Sequence, residues 1–216
     1  MKFYTAKIKG TRSNSTVYVA LNLFSISHYK NLLLPHEDKI VFWCDGLFSK
    51  MLVKDAYKVP GTHFLRCYLQ KPRNKLLVIG NLDTKEKQYL YDRGIDKIIH
   101  HKFVKVNREA IDQVMLKNGD IVLLNLPSPL QEKTAFQLAE KSMGCTFYCT
   151  GGALKMLTYP KFEAPQMLRR LHLEWIYRLR TDTLRRLLRL SRCVYYLLVD
   201  HKFISQIGLN EVAEYQ

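Results

Sequence analysis

The chain contains no run of about eighteen apolar residues, so nothing in it is expected to cross a bilayer as a helix. It has no G-x-G-x-x-G run and no G-x-S-x-G elbow, which leaves a dinucleotide cofactor, a methyl donor and serine-nucleophile chemistry without sequence support. It also lacks Asp-x-Asp, the carboxylate pair that would hold a divalent cation against a nucleotide diphosphate. Cys44, Cys67, Cys145, Cys149 and Cys193 form no C-x-x-C pair and no zinc spacing with the histidines. Odd in number and set mostly in apolar runs, they read as reduced core residues of a cytosolic protein. His100 and His101 are adjacent and would point to opposite faces of a strand, so a shared metal is not expected, nor is any other cofactor. Acids are scarce as well: 19 Asp and Glu stand against 34 Lys and Arg, a formal net charge of +15 with pI near 9.6. Such a balance draws the chain to polyanions, whether phosphates, nucleic acid or an anionic leaflet, without choosing among them.

What is present is a packed α/β domain. Of 216 residues, 47% are hydrophobic and 12% aromatic, enough for one good-sized core with an appendage and not the composition of a disordered chain. The opening loosely imitates a signal peptide, with early positive charge and an apolar run over residues 17–24. Asn22 interrupts that run and no small-residue cleavage site follows, so a strand is the better reading. Six strands are expected: 17–24, 39–44 (KIVFWC), 75–80 (KLLVIG), 96–100, 120–125 (DIVLLN) and 145–149 (CTFYC). Helices are expected at 47–57, 62–69, 84–93, 108–117 and 129–143, with helical pattern dominating from Ala153 onward. Strands separated by single helices imply right-handed crossovers, hence a Rossmann-like, mostly parallel sheet with helices on both faces.

In such a fold ligands bind beyond the carboxyl ends of the strands. Four strand-end stretches therefore matter. Asp45-Gly46 can be a plain turn pair, or a carboxylate placed to take a proton beside a glycine that permits close approach. Gly80-Asn81 alone is a weak phosphate signal. In LPSPLQEK (126–133), Ser128 can cap a helix, Pro129 suits its first turn and Gln131 completes a capping box, while the same helix start offers amides to a ligand. Thr150-Gly151-Gly152-Ala153 is a Gly-rich strand-to-helix turn, more often a packing device than a site.

Residues 163–192, EAPQMLRRLHLEWIYRLRTDTLRRLLRLSR, interleave eight arginines with leucines at helical spacing. Were the second half helical, Leu184, Leu187, Leu190 and Val194 would share one side, with Arg185, Arg189 and Arg192 opposite. A solvated surface helix accounts for the pattern; so does a segment needing one apolar and one anionic partner, because guanidinium forks suit phosphates. Thr181-Asp182 could cap a fresh helix and break the segment in two.

Together, DG at 45–46, PG at 60–61, SPLQEK, TGGA and EAPQMLRRLHLEWIYRLR resemble the WecG/TagA/CpsF family of bacterial glycosyltransferases over roughly residues 17–192, the EWIYRL of 174–179 being the most specific part. The resemblance implies inverting transfer of a sugar from a nucleotide-sugar donor, a UDP-sugar, to a polyprenyl-diphosphate-linked sugar acceptor, in polysaccharide, common-antigen or teichoic acid assembly. It implies a cytoplasmic protein lying peripherally on an anionic membrane surface. Asp45 becomes the general base. Gln131 and Glu132 contact the donor region, with Gly80, Asn81, Gly151 and Gly152 on the same side; Arg178, Arg185 and Arg189 close over the diphosphate. Asn22, Gly46 and Thr62 fall to the acceptor region. The chain departs from the family pattern at Pro127, His63 and Lys155, where a glycine, an aspartate and an acid are usual, which bears on donor preference. The expected division is an α/β catalytic core over 1–160 and a C-terminal helical lid and membrane-binding appendage over 161–216, with homo-oligomers forming through surfaces the tail would otherwise cover. A nucleic-acid-binding protein, favoured by charge alone, would leave Asp45 and the QE pair unexplained; nucleic acid is not the expected partner. A non-catalytic membrane scaffold of the same fold is the other rival.

Overall fold

A computed structural model of the chain describes residues 3–8, 15–22, 25, 29–45, 59–70, 75–100, 111, 113–170, 174–179, 183–199 and 209–215. The side chains of 3–8 and 209–215, and those of Arg178, Arg185 and Arg189, lie outside what it describes, as do Gly46 and the helix expected at 47–57.

The sheet has eight strands: β1 (Phe3–Ile8), β2 (Thr16–Leu21), β3 (Ile40–Cys44), β4 (Leu76–Gly80), β5 (Ile98–His100), β6 (Ile121–Asn125), β7 (Thr146–Cys149) and β8 (Leu209–Tyr215). Their order is β5-β4-β6-β7-β2-β3-β1-β8. The six expected strands are mutually parallel; β1 and β8 extend the β3 side in antiparallel pairing. Residues 209–215, assigned to a helical appendage by sequence, are thus a strand.

Both faces of the parallel strands are apolar, which is why helices cover both. Val17, Val19 and Leu21 of β2 and Val122 and Leu124 of β6 face one side, where Ala135, Phe136, Leu138 and Ala139 of α3 (Leu130–Lys141) pack on them. On the other side Leu123 and Val78 meet α1 (Gly61–Tyr68), α2 (Thr84–Tyr91) and α4 (Ala153–Thr158) through Phe64, Leu65, Leu90 and Leu154. An aromatic layer continues that side: Trp43 stacks on Phe64 at 5.1 Å between centroids, and Phe64 meets Tyr148 at 5.0 Å. All five cysteines are free thiols, four of them buried.

The expected strand at 17–24 ends at Leu21, because Asn22 and Ser25 close a turn: each backbone N–H donates to the other's side-chain oxygen. The expected helix at 108–117 is not helical over 113–117. Lys117 N–H donates to Asp120 Oδ2 (2.8 Å), Asp120 N–H returns to Lys117 O, and Gly119 takes φ +83°, a turn that feeds β6 instead. After α4 come a 3-10 turn (Pro160–Phe162) and three helices: α5 (Gln166–Arg170), α6 (Glu174–Leu179) and α7 (Thr183–Val199). Helices therefore flank Thr181-Asp182, which itself lies outside the described residues.

Candidate active site

The carboxyl ends of the parallel strands open into one cleft of about 1220 Å³. Register sets its floor. Leu21 pairs with Cys44, so the next residues, Asn22 and Asp45, leave the sheet side by side. Gly80 pairs with Asn125, so Asn81 and Leu126 emerge together, and Leu124 pairs with Cys149 ahead of the TGG turn. From β3 to β4 across β2, β7 and β6 is four strand spacings of about 4.8 Å, roughly 19 Å, the length of an extended ligand rather than of one sugar ring. Asp45 and Thr62 come together because Val59 N–H donates to Cys44 O (2.8 Å), bringing the chain back to β3 just before α1 begins. Of the residues expected from sequence, Asn22, Asp45, Thr62, Asn81, Gln131, Glu132, Gly151 and Gly152 all line this cleft.

The loop before α3 differs in detail from its expected capping box. The helix cap falls on Pro129 with no side-chain cap; instead Pro127 O accepts from Leu130 N–H (2.8 Å) and Gln131 N–H (3.3 Å). The Ser128 hydroxyl donates to Glu132 Oε1 (2.7 Å) and accepts from Gln131 Nε2 (2.7 Å). Gln131, 5% exposed, also donates to Glu132 Oε1 (2.9 Å) and accepts from Gly151 N–H (2.8 Å). Its amide therefore braces the SPLQE loop against the TGG turn. Gly151 takes φ +56°, which a side chain would resist, and this turns its amide toward Gln131. Cys149 lines the same region, but complete burial, and then the Glu132 charge, push its thiol far up, which keeps it from acting as a nucleophile.

Beyond β4 lies a polar corner that the sequence reading missed. Asp83 caps α2 in a full capping box: Asp83 Oδ1 accepts from Glu86 N–H (2.9 Å) and Glu86 Oε2 from Asp83 N–H (3.0 Å). The D-x-x-E spacing of 83–86 was the available signal. Tyr159 O–H donates to Asp83 Oδ2 (2.9 Å). Burial works to raise Asp83 but is outweighed by these bonds, so its carboxyl lies below the usual range; burial does raise Glu86, which is 3% exposed and bonded to the Asn125 side chain. Gly80 sits behind this corner rather than on the cleft wall. A Cβ there would fall 2.8 Å from Asn125 O, so the residue is explained by close strand approach.

The basic tail is tied to the cleft's rim. Tyr177 of α6 lines the cleft and donates its hydroxyl to Lys161 O (3.0 Å), and Arg66 of α1 meets Glu163 at 3.6 Å. On α7, Leu184, Leu187, Leu188, Val194, Tyr195 and Leu198 are exposed, so its apolar side faces away from the core. Among the described residues no helix is long and apolar enough to cross a membrane, and no three His, Cys, Asp or Glu side chains gather to hold a metal.

No curated protein matches this chain. The family model described as the Glycosyl transferase WecG/TagA/CpsF family matches residues 53–206, from the segment before α1 to beyond α7, and takes in the SPLQE loop, the TGG turn and EWIYRL. More than two thirds of the chain is covered, and the matched part holds most of a cleft built at the ends of parallel strands; the chain belongs to the WecG/TagA/CpsF family of glycosyltransferases.

Proposed function

We propose that the protein is an inverting, metal-independent glycosyltransferase that moves a sugar from a UDP-sugar to a polyprenyl-diphosphate-linked sugar at the cytoplasmic face of the membrane, in bacterial surface polysaccharide or teichoic acid assembly. The observation that carries this reading is the position of Asp45: a carboxylate at a strand end, beside Asn22, in one cleft with the SPLQE loop and TGG turn of the matched family. Asp45 takes the proton of the acceptor hydroxyl as its oxygen attacks the anomeric carbon from the side opposite the diphosphate. A new carbon–oxygen bond forms, the bond to the diphosphate breaks, configuration inverts, and the nucleoside diphosphate leaves with the bonding pair. Cations must meet that charge, and Arg178, Arg185 and Arg189 of the tail are assigned the task.

Gln131 and Glu132 serve the donor by holding the loop in shape, since the Gln131 amide and Glu132 Oε1 engage each other, Ser128 and Gly151. The exposed apolar side of α7 and the net charge of +15 support a helix lying in the interface of an anionic leaflet.

The test is release of UDP from a panel of UDP-sugars with a short-chain polyprenyl-diphosphate sugar as acceptor. Asp45→Asn should lower turnover by about 100-fold or more; near-wild-type turnover would remove Asp45 from the role. Arg178→Ala and Arg185→Ala probe the tail better than deleting it, because a deletion also strips β8 from β1.

A further inference from the structure

We propose that Lys155 and Lys161 form a clamp for a diphosphate at the middle of the cleft, an inference that rests on the glycosyltransferase reading. Both lysines line the cleft, and both stand over the same ring, Phe162, at 5.5 Å and 5.3 Å from its centroid. The ring and the 3-10 turn that carries it are thus within reach of both ammonium groups. Neither is hydrogen-bonded or ion-paired to a described residue, although Asp83 and Glu86 are near enough for Lys155 to act on them. Asp83 stays anionic and offsets part of the Lys155 charge, but its oxygens are bonded to Glu86 N–H and Tyr159 O–H, so it makes no direct contact with either ammonium group.

Position argues for a diphosphate. Ala153, two residues before Lys155, faces Gly61, where an added Cβ would fall 3.7 Å from the Ala153 Cβ, close to the tie that returns the chain to β3 beside Asp45. Lys155 itself reaches toward the corner beyond β4. It thus stands between the two ends of the cleft, where a molecule with a sugar at one end and a nucleoside at the other carries its two phosphates. Two flexible ammonium groups suit such a group, whose oxygens are spread over two phosphorus atoms. The lipid-linked acceptor carries a diphosphate too, so the ligand chemistry is shared by two sources.

Calorimetric titrations separate them, with UDP, uridine and geranyl diphosphate as probes of the full chain. Lys155→Gln and Lys161→Gln should each weaken UDP about tenfold while leaving uridine within about twofold, and Lys155→Arg should keep most of the affinity. A loss confined to geranyl diphosphate would assign the clamp to the acceptor. Lys85→Gln, which removes a cation over Tyr159 that is not on the cleft wall, should change nothing; an equal loss there would reduce the effect to general charge and overturn the clamp. Unchanged binding of both diphosphates to the two glutamine variants, or a parallel loss of uridine, would also overturn it while leaving the glycosyltransferase reading in place. A wild type that binds UDP but transfers no sugar would sink the catalytic reading and not the clamp; one that binds neither diphosphate would sink both.

Discussion

Replacing Gln131 with alanine distinguishes a brace from a ligand contact. The amide makes three hydrogen bonds inside the protein, to Ser128 Oγ, Glu132 Oε1 and Gly151 N–H, at 2.7, 2.9 and 2.8 Å. A neutral bond contributes about 1 kcal/mol net and one to a charged group about 1.5–3, which sums to roughly 3.5–5 kcal/mol. Some is recovered: Gly151 N–H keeps Leu124 O at 3.3 Å and Ser128 keeps Glu132. The expected loss is therefore about 3 kcal/mol, a fall in Tm of roughly 6–12 °C for a domain of this size. Urea unfolding followed by far-UV circular dichroism measures it, and Gln131→Leu, which restores volume without the bonds, should lose nearly as much. The loss in transfer activity should follow from a displaced loop and persist at temperatures where the variant is fully folded. A variant within about 0.5 kcal/mol of wild type, as for an ordinary surface change, that nonetheless loses donor affinity would refute the brace and return Gln131 to direct donor contact.

Gly80→Ala should cost about 2 kcal/mol or more in urea unfolding, because the new Cβ meets the backbone oxygen of Asn125 on the neighbouring strand and the two strands must part; a neutral result would show that the sheet yields there. Glu86→Gln should flatten the dependence of stability on pH. With its pKa raised in the fold, Glu86 keeps a proton that the unfolded chain has released, so its contribution is full below about pH 4.3 and is lost as pH rises through the folded value, opposite in sign to Asp83. Parallel stability curves for variant and wild type above that pH would refute the raised Glu86 carboxyl. Leu184, Leu188 and Leu198 of α7 are 73%, 54% and 74% exposed. Changing all three to glutamine should leave the fold intact yet weaken binding to anionic vesicles by about 100-fold, taking about 1 kcal/mol for each partly buried leucine; unchanged co-sedimentation would detach α7 from the membrane.

The six parallel strands were legible because KIVFWC, KLLVIG, DIVLLN and CTFYC are apolar on both faces and bounded by helical pattern, a property of the strand itself. β1 and β8 were not. FYTAKI interleaves threonine and lysine, LNEVAEY carries two acids, and what makes them strands is pairing with each other and with β3. Residues 113–117 look helical by period, but Asp120 and Gly119 close a turn that overrides it. At the site, the strand-end rule located the cleft residues without any knowledge of their side-chain partners. Whether Gln131 faces a ligand or the fold was beyond it, since that depends on an amide twenty residues away at Gly151. The capping box at Asp83 was readable from its spacing; that Tyr159 would join it was not, because the two meet only through tertiary packing.

Asp45 falls before the matched span begins at residue 53, so its proposed role has to stand on geometry. Two independent constraints set its position. From one side, the parallel register that pairs Leu21 with Cys44 sets the height at which β3 ends, and a one-residue slip of the buried run Ile40 to Cys44 would exchange the faces of Phe42 and Trp43, which pack in different clusters. From the other, the bond from Val59 N–H to Cys44 O returns the chain to the same point and starts α1 beside it, inside the matched span. A carboxylate that follows directly on a paired strand end, with a helix start tied to the same point, has the restrained position that the proposed general base requires. Asn22 is restrained as well, through its turn with Ser25, so the end of the cleft opposite the Asp83 corner has the fixed shape that the proposed deprotonation of an acceptor hydroxyl calls for.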